Sequence, residues 1–254
     1  MTNTEASPIN HLHVGDCLPF LERLPADSID ALITDPPYAS GGLHISARQQ
    51  NTTQKYQQTG TQRSYLDFYG DHRDQRAHLR WLTLWLSACW RALKPSAPVC
   101  FFSDWRQLPL TTDALQVAGF SWRGIAVWDK TEGVRPGMGK FRAQAEYIVW
   151  DSKGGMPAER GVGVLPGVYR FPVKHADKFH LTGKPTDLMR RIVRICSPGG
   201  TILDPFAGSG TTLVAAKQEG YHWLGCELSE GYAMVARERL AANDEVFATF
   251  PTQD

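Results

Sequence analysis

The sequence predicts an α/β protein with a doubly wound, mostly parallel sheet of seven strands and an antiparallel pair at one edge. Short apolar runs alternate along the chain with segments whose apolar residues recur at helical spacing. Two of these runs end abruptly in an acid, Asp35 before two prolines and Asp204 before a glycine turn. Two later runs, Phe120 to Trp128 and Phe141 to Trp150, have no helix between them, which favours the antiparallel pair.

The predicted strands are short and are bounded by turn residues. Ile29 to Tyr38 begins as a buried parallel strand, and the two prolines end its pairing because proline has no N–H to donate. Val99 to Ser103 is also apolar and is followed by an acid. Besides the late pair, the remaining strands are predicted at Leu12 to Asp16, Thr201 to Leu203 and His222 to Cys226.

The helices between these strands are predicted from spacing and stop signals. Apolar residues recur at helical spacing in Asp71 to Lys94, and Pro95 stops that helix. In Lys184 to Ser197 the apolar residues take one face and three arginines take the other. The other helices are predicted at Leu18 to Leu24, Thr112 to Ala118, Thr211 to Glu219 and Glu230 to Ala242.

The 254 residues are predicted to form a single domain that carries two irregular segments. The first, residues 39–70, is rich in Gln, Thr and Ser, and a structureless loop of that length is usually functional or disordered. Because it follows Tyr38 directly, we expect a mobile flap over the site. The second, residues 152–181, has too few apolar residues for a core, so we expect an insert rather than a second domain.

Composition narrows the class of protein. Five widely spaced cysteines without a C-x-x-C pair predict reduced, buried thiols in a cytoplasmic protein. The eight histidines show no ligand spacing on a helix, so no structural metal is predicted. The chain does not open with a signal-peptide pattern, and no apolar run reaches about 18 residues, so no membrane span is predicted.

The charge of the chain is unevenly distributed. The formal net charge is +1, but from Lys130 to Lys184 ten Lys or Arg stand against five Asp or Glu, a local net charge of +5. This excess is compatible with a polyanionic partner, and equally with a solvated loop face.

The stretch IDALITDPPY at 29–38 leaves three groups at a strand's carboxyl end: the Asp35 carboxylate, the Pro36 carbonyl and the Tyr38 ring. Ligands of open α/β sheets bind outside the carboxyl ends of the strands. An amino group lying flat on Tyr38 would donate to Asp35 and to the Pro36 carbonyl, and the exocyclic amine of a nucleobase has that shape. The alternative is a proline-rich turn with a solvated Asp and no chemistry.

The stretch TILDPFAGSGTT at 201–212 is a second strand that runs through a turn into a helix. Gly208 and Gly210 let the backbone approach a ligand, and the helix start offers free N–H donors to a carboxylate or phosphate. Glu227 ends the next strand, where the ribose hydroxyls of nucleotide ligands are bound in such sheets.

Two cofactors are compatible with this second motif. A nicotinamide cofactor is one, but Leu213 breaks the G-x-G-x-x-G fingerprint and Asp204 would repel a pyrophosphate. Asp204 suits a ligand with an ammonium group. S-adenosyl-L-methionine carries an ammonium, a carboxylate, a ribose and a sulfonium.

At these motifs the chain resembles the amino-group DNA methyltransferases of the N6-adenine and N4-cytosine type. The resemblance rests on DPPY at 35–38, DPFAGSGTT at 204–212, GDCLPFL at 15–21, KP at 184–185 and GCELSE at 225–230. The catalytic motif precedes the cofactor motif, as in the permuted β class and its small prophage-encoded adenine methyltransferases. The resemblance implies a Rossmann-like methyltransferase fold, S-adenosyl-L-methionine as cofactor, and a target-recognition role for residues 152–181.

The resemblance also implies roles for individual residues. The catalytic residues would be Asp35, Pro36, Pro37 and Tyr38, with Asp35 and the Pro36 carbonyl holding the target amine and Tyr38 stacking on the base. Among the cofactor-binding residues, Glu227 would take the ribose hydroxyls and Asp16 the adenine amine, while Phe206, Gly208 and Gly210 would line the methionine part. The full implied cofactor set is Asp16, Cys17, Asp35, Lys184, Asp204, Phe206, Gly208, Ser209, Gly210, Thr211, Thr212, Glu227 and Leu228.

The chain departs from the family pattern in one strand. FRAQAEYIVW at 141–150 is similar to the family's late strand beside the base pocket. Ala145 stands where many members have a histidine before the glutamate, which questions any role of that strand's side chains.

The activity implied is methyl transfer from S-adenosyl-L-methionine to adenine N6 in double-stranded DNA, because DPPY is the form usual in adenine enzymes. The base would be flipped out and the methyl group transferred directly. We expect a short or relaxed target, since residues 152–181 supply mostly lone charges suited to phosphates. A homodimer is left open.

The alternatives are an N4-cytosine enzyme, an RNA or protein-glutamine methyltransferase, and a non-catalytic cofactor-binding regulator. RNA and protein-glutamine enzymes usually place the DPPY-like motif after the glycine motif. A regulator would need only residues 204–227, whereas this chain also has residues 35–38.

Overall fold

A computed structural model describes residues 9–39, 73–134, 137–173 and 183–248 of the chain, with side chains to residue 243. The predicted flap at 39–70 therefore lies outside the described residues except for Ala39. Residues 174–181 of the predicted insert lie outside them as well.

The described residues form one eight-stranded sheet with the order β1-β8-β7-β2-β3-β5-β4-β6. Only β5 runs against its neighbours, and all other pairings in the sheet are parallel. The strands are β1 (His11–Val14), β2 (Ala31–Thr34), β3 (Pro98–Ser103), β4 (Ser121–Asp129), β5 (Ala145–Ser152), β6 (Val168–Arg170), β7 (Thr201–Asp204) and β8 (His222–Glu227). The doubly wound, mostly parallel sheet predicted from the sequence is confirmed.

The predicted number of strands was one too low. The eighth strand, β6, comes from the segment taken as an irregular insert, and it pairs in parallel with β4. Three residues are too few to show a period-2 pattern, so the strand is recognised only from its pairing with the free side of β4. The Tyr169 side chain is buried there, and Trp128 Nε1 donates to the Phe171 carbonyl at 2.8 Å.

The predicted antiparallel pair exists, but it does not end the sheet. β5 lies between β3 and β4 and is antiparallel to both, so the edge is taken by β6. Because β5 is reversed, its first residues lie beside the last residues of β4, where Trp128 pairs with Glu146. An acid at the start of β5 therefore lies at the carboxyl ends of the parallel strands, where the other acids also lie.

Helices cover both faces of the sheet. They are α1 (Cys17–Arg23), α2 (Gln75–Ala92), α3 (Leu108–Val117), α4 (Thr186–Ile192), α5 (Thr211–Gln218) and α6 (Glu230–Ala248). Along β2, Ala31 and Ile33 pack into the core under α4, α5 and α6, whereas Leu32 packs into the core under α1, α2 and α3. All five cysteines are free and buried, as predicted. Within the described ranges no helix is both long and apolar enough to cross a bilayer.

Helix α4 differs most from its prediction. It begins at Thr186 because Pro185 has an extended backbone, and a 3-10 turn, Val193–Ile195, replaces its predicted end. Lys184 therefore lies in the extended segment that leads into α4 and not in the helix. This placement directs Lys184 toward the end of β2.

Candidate active site

The acids of the sequence motifs meet at one edge of the sheet. Asp35 follows β2, Asp204 ends β7 and Glu227 ends β8. These three strands are parallel, and β7 lies between β2 and β8. Thr34 Oγ1 donates to Asp204 Oδ1 at 2.7 Å, which ties the DPPY turn to the glycine turn. Gly15 N donates to the Glu227 carbonyl at 2.9 Å, which brings Asp16 beside Glu227.

Asp35, Tyr38 and Lys184 come together with Glu146 in a single cluster. The Tyr38 hydroxyl oxygen lies 2.6 Å from Asp35 Oδ1 and 2.8 Å from Glu146 Oε1. Lys184 Nζ donates to Asp35 Oδ2, lies 2.9 Å from Glu146 Oε1, and donates to the Tyr38 hydroxyl at 3.2 Å. Lys130 Nζ lies 2.7 Å from Glu146 Oε2 and completes the cluster.

Burial and charge act in opposite directions on the titration of this cluster. Burial raises the pKa of Asp35, the Lys184 ammonium opposes the rise, and the Glu146 carboxylate adds to it. Burial also tends to raise the pKa of Glu146, but Lys184 and Lys130 outweigh it and lower that pKa to about 2. Burial and the two neighbouring carboxylates raise the pKa of Tyr38 well above its ordinary value, so its hydroxyl is protonated.

The glycine turn is built by backbone conformation and close packing. Gly208 and Gly210 have φ angles of 53° and 80°, a region that side chains disfavour. A Cβ on Gly210 would lie 2.8 Å from the Ala236 Cβ of α6, so glycine is also required by space. Gly208 N donates to Glu227 Oε2 at 2.8 Å, which connects the turn to the end of β8.

Asp204 is buried at the centre of this turn and acts as its internal acceptor. Its Oδ1 accepts hydrogen bonds from Thr34 Oγ1 and from Phe206 N at 3.1 Å. Burial raises the pKa of Asp204 to about 6, against hydrogen bonds from Thr212, Thr34 and the Phe206 backbone. Asp204 and Thr212 are thus brought together by the structure.

Several residues of the implied cofactor set are held by neighbouring elements. Arg239 of α6 donates to the Ser209 carbonyl at 2.6 Å and to Thr211 Oγ1 at 3.0 Å. Cys17 faces the core under α1, and burial raises the pKa of its thiol to about 12. Leu228 is exposed beyond the end of β8.

Aromatic residues of α2 lie against the glycine turn, and the sequence motifs did not reveal them. The Phe206 ring lies 4.9 Å from the Trp85 ring and 5.3 Å from the Trp81 ring, measured between centroids. The Arg73 guanidinium lies 4.1 Å above the Trp81 ring. Helical spacing predicted the helix that carries these tryptophans, but spacing does not show which turn its side chains meet.

Glu146 is the other functional candidate that the sequence did not assign. Because Ala145 replaces the family's histidine, the sequence questioned a functional role for any side chain of this strand. An acid in an otherwise apolar strand is nevertheless itself a sign of a functional site. The structure places Glu146 against Tyr38 and Lys184, with little of its side chain exposed. The late strand therefore takes part in the site through Glu146, while Ala145 is exposed.

The chemistry of these groups fits S-adenosyl-L-methionine. Glu227 Oε2 accepts the Gly208 N–H and Oε1 accepts the Ser229 N–H. With the further backbone hydrogen bond from Leu228, three of about four lone-pair sites of the carboxylate are used, which leaves one for a ribose hydroxyl. Asp16 Oδ1 caps α1 by accepting from Leu18 N, next to Glu227 along the edge. The Phe206 ring and the glycine turn present apolar surface and close backbone beside them. These residues form the candidate cofactor site.

The site combines the DPPY turn, the glycine turn and an acid placed to bind ribose hydroxyls. This combination is typical of methyltransferases that act on exocyclic amines. The chain belongs to the DNA methylase family of N6-adenine and N4-cytosine methyltransferases, whose family model matches residues 29–238. S-adenosyl-L-methionine is the cofactor of this family and of this chain. The family and cofactor predicted from the motifs are confirmed.

Two relatives match along most of the chain. YubD of Escherichia coli (strain K12), named as a methylase, is 31% identical over 229 residues, which cover 90% of this chain and 88% of that protein. The type II methyltransferase M.HinfI of Haemophilus influenzae is 28% identical over 255 residues, which cover 91% of this chain and 68% of that protein.

Solved structures share the fold. TTHA0409 of Thermus thermophilus, described as a DNA modification methylase, has a TM-score of 0.66 at 26% identity, covering 91% of this chain and 94% of that chain. The cytosine-N4-specific PvuII DNA methyltransferase has a TM-score of 0.68 at 16% identity, covering 93% of this chain and 88% of that chain. At that identity the PvuII enzyme supports the fold alone.

Proposed function

We propose that this chain methylates N6 of adenine in double-stranded DNA. The observation that carries the proposal is the position of the Asp35 carboxylate, directly after β2 and linked through Thr34 to the glycine turn. The DPPY form of the motif supports adenine over cytosine. The proposed catalytic residues are Asp35, Pro36, Pro37 and Tyr38.

The proposed chemistry localises a lone pair. The lone pair of an adenine amine is delocalised into the ring, so the amine is a weak nucleophile. Asp35 and the Pro36 carbonyl would each accept one N–H of the amine, which directs the lone pair away from the ring. S-adenosyl-L-methionine, when bound, supplies an electrophilic methyl group and leaves as a neutral thioether. The proton lost from the methylated nitrogen passes to Asp35 or to water.

Tyr38 would receive the flipped base. A base inside a duplex cannot reach Asp35, so it must be extruded at a cost of a few kcal/mol. Stacking on an aromatic ring contributes roughly 1 to 3 kcal/mol per base and would offset much of that cost. The Tyr38 ring is half-buried, and its hydroxyl is fixed by Asp35 and Glu146, so the stacking surface is preorganised.

The proposed cofactor roles follow the geometry of the strand ends. Glu227 would bind the ribose hydroxyls and Asp16 the adenine amine. Phe206, Gly208 and Gly210 would line the methionine part. Ser209 and Thr211 would shape the turn through their contacts with Arg239.

The test is the identity of the methylated nucleoside. Purified protein is incubated with unmethylated DNA and S-adenosyl-L-methionine, and the DNA is digested and analysed by mass spectrometry. We expect N6-methyladenine, and none of it with the Asp35→Asn variant. Detection of N4-methylcytosine alone, or of methyl groups only in RNA, would contradict the proposal.

A further inference from the structure

The Lys184 ammonium has no N–H left for a further ligand. An ammonium group has three donors, and Lys184 Nζ has three acceptors: Asp35 Oδ2, Glu146 Oε1 and the Tyr38 hydroxyl. Its side chain is 6% exposed, compared with 10% for Glu146 and 22% for Asp35. All three N–H groups of Lys184 are therefore used within the cluster of Asp35, Tyr38 and Glu146, although the resemblance to the family implied that Lys184 contacts the cofactor.

Tyr38 alone cannot satisfy the two carboxylates that flank it. Its hydroxyl lies within 2.8 Å of both Asp35 and Glu146, but it has one proton and serves one carboxylate at a time. The ammonium beneath it donates to both carboxylates. Without Lys184, two buried carboxylates would face each other across one hydroxyl, and one of them would take up a proton.

The charges of the cluster balance. In their ionised forms Asp35 and Glu146 carry one negative charge each, which match the positive charges of Lys184 and Lys130. Asp35 is also faced by Tyr38 from its own segment and by Asp204 from β7. Lys130, at the end of β4, acts on Asp35 through Glu146.

We infer that Lys184 and Glu146 are positioning residues, in which Lys184 keeps the Asp35 carboxylate ionised and oriented and Glu146 holds Lys184 in place. An ionised Asp35 has lone pairs for the N–H of an amine, whereas a protonated Asp35 would direct its own O–H at the amine. The inference deepens the proposed function and rests on it for the identity of that amine. The state of Asp35 itself can be measured without DNA.

The direct test is the titration of Asp35, followed by carbon-detected NMR of aspartate carboxyl groups and assigned with Asp35→Asn. Removing an opposite charge at this distance moves a carboxyl titration by about 1 to 3 pH units, so Lys184→Met should move the Asp35 midpoint upward by that amount. Glu146→Gln should move it downward, because a like charge is removed and an amide acceptor for Lys184 stays. An unchanged midpoint in both variants would overturn the inference.

A matched control exists at the other end of the same strand. Lys94 Nζ lies 2.7 Å from Asp30, the residue before β2. Lys94→Met removes a lysine–aspartate pair that does not touch Tyr38, and it should leave the Asp35 midpoint unchanged. A midpoint that moves as far in Lys94→Met as in Lys184→Met would also overturn the inference, because the effect would then be nonspecific.

Cofactor affinity separates the two roles of Lys184. Calorimetry with S-adenosyl-L-methionine should give a Kd for Lys184→Met within about twofold of wild type. The methylation rate of this variant should fall, and the acid limb of its pH–rate profile should move to higher pH with the Asp35 midpoint. A Kd raised about tenfold or more with an unmoved midpoint would make Lys184 a cofactor ligand instead.

Further variants keep the inference testable if one variant misfolds. If Lys184→Met does not fold, Glu146→Gln still tests the inference through the opposite shift. Lys184→Arg keeps the charge, so it should hold the midpoint while lowering the rate, because guanidinium geometry differs from that of an ammonium. Absence of N6-methyladenine with a shifted midpoint would reject the proposed function alone, and methylation with an unshifted midpoint would reject this inference alone.

Discussion

Two acids at the ends of the strands on either side of β7 have different surroundings. Asp35 is paired with Lys184 and Tyr38, whereas both Glu227 oxygens accept backbone N–H groups of the glycine turn and of the segment after β8. Burial raises the pKa of Glu227, and hydrogen bonds from Ser229, Gly208 and Leu228 oppose the rise. These differences support the proposed roles, in which Asp35 binds the target amine and Glu227 the ribose of the cofactor.

The first prediction separates these two residues. Asp35→Asn should abolish methyl transfer and keep the affinity for S-adenosyl-L-methionine within a few fold, because the amide keeps the shape and loses the charge. Glu227→Gln should raise the Kd of the cofactor first, because one acceptor of the ribose hydroxyls becomes a donor. Isothermal calorimetry on both variants measures this, and equal losses of cofactor affinity would show that the roles are wrongly assigned.

At the scale of elements, α6 supports the glycine turn from outside the sequence motif. Arg239 donates to Ser209, to Thr211 and, at 3.2 Å, to Thr186 at the start of α4. One side chain thus joins the turn before α5 to the helix that follows Lys184. The two halves of the site are therefore mechanically connected through α6.

The second prediction tests this connection. Arg239→Met should raise the Kd for S-adenosyl-L-methionine and lower the free energy of unfolding by about 1 to 3 kcal/mol, because buried acceptors lose a charged donor. Arg237→Met is the control on the same helix, since Arg237 makes an exposed pair with Glu230, and exposed pairs contribute about 0 to 1 kcal/mol. Chemical denaturation and calorimetry give both quantities. Equal effects of the two substitutions would show that Arg239 does not support the turn.

At the scale of the whole molecule, the basic segment is less available to DNA than its sequence indicates. Lys153 is paired with Asp27 at 2.7 Å, and Arg160 donates to the Ile195 carbonyl at 3.2 Å. Arg170 is paired with Glu132 at 2.7 Å. Lys174 and Lys178, also expected to suit phosphates, lie outside the described residues. The pairs of Lys153 with Asp27 and of Lys184 with Asp35 reduce the local excess of positive charge, because both acids lie outside residues 130–184.

The third prediction concerns the target sequence. Each good bidentate contact to a base contributes about 1 to 3 kcal/mol of discrimination, so a specific target needs several free side chains. In the described part of the insert, residues 152–173, three basic side chains make contacts within the protein. We therefore expect a short or relaxed target. Methylation mapped by long-read sequencing in cells that express the protein measures this. Confinement to one motif of about five or more fixed bases would contradict the prediction.

The same reasoning gives an expectation for affinity. If contacts to phosphates dominate binding, the logarithm of the DNA association constant falls linearly with the logarithm of the salt concentration. A steep fall, measured by fluorescence anisotropy on a duplex, would agree with this. A nearly flat dependence would point to base contacts instead.

The sequence by itself determined the strand ends and the chemistry placed on them. Asp35 before two prolines and Asp204 before two glycines with positive φ are decided within a few residues, because proline and glycine act on the local backbone. The alternation of strands and helices is also local, and it was enough to predict the doubly wound sheet. The family, the cofactor and the strand-end acids followed from these local signals.

Only the tertiary structure decided which distant side chains meet. Lys184 lies 149 residues from Asp35 along the chain, and Glu146 lies 108 residues from Tyr38. Their contacts depend on the place of the reversed strand β5 between β3 and β4, and on the packing that brings the entry to α4 beside the end of β2. Local patterns can indicate an antiparallel pair and an extended segment at Pro185, but not where these lie relative to the rest of the sheet. The short strand β6 likewise pairs with a strand about 40 residues earlier, at the side of β4 that β5 leaves free. Pairing between distant segments is set by packing of the whole sheet, so sequence motifs locate the groups that do chemistry but not the groups that hold them.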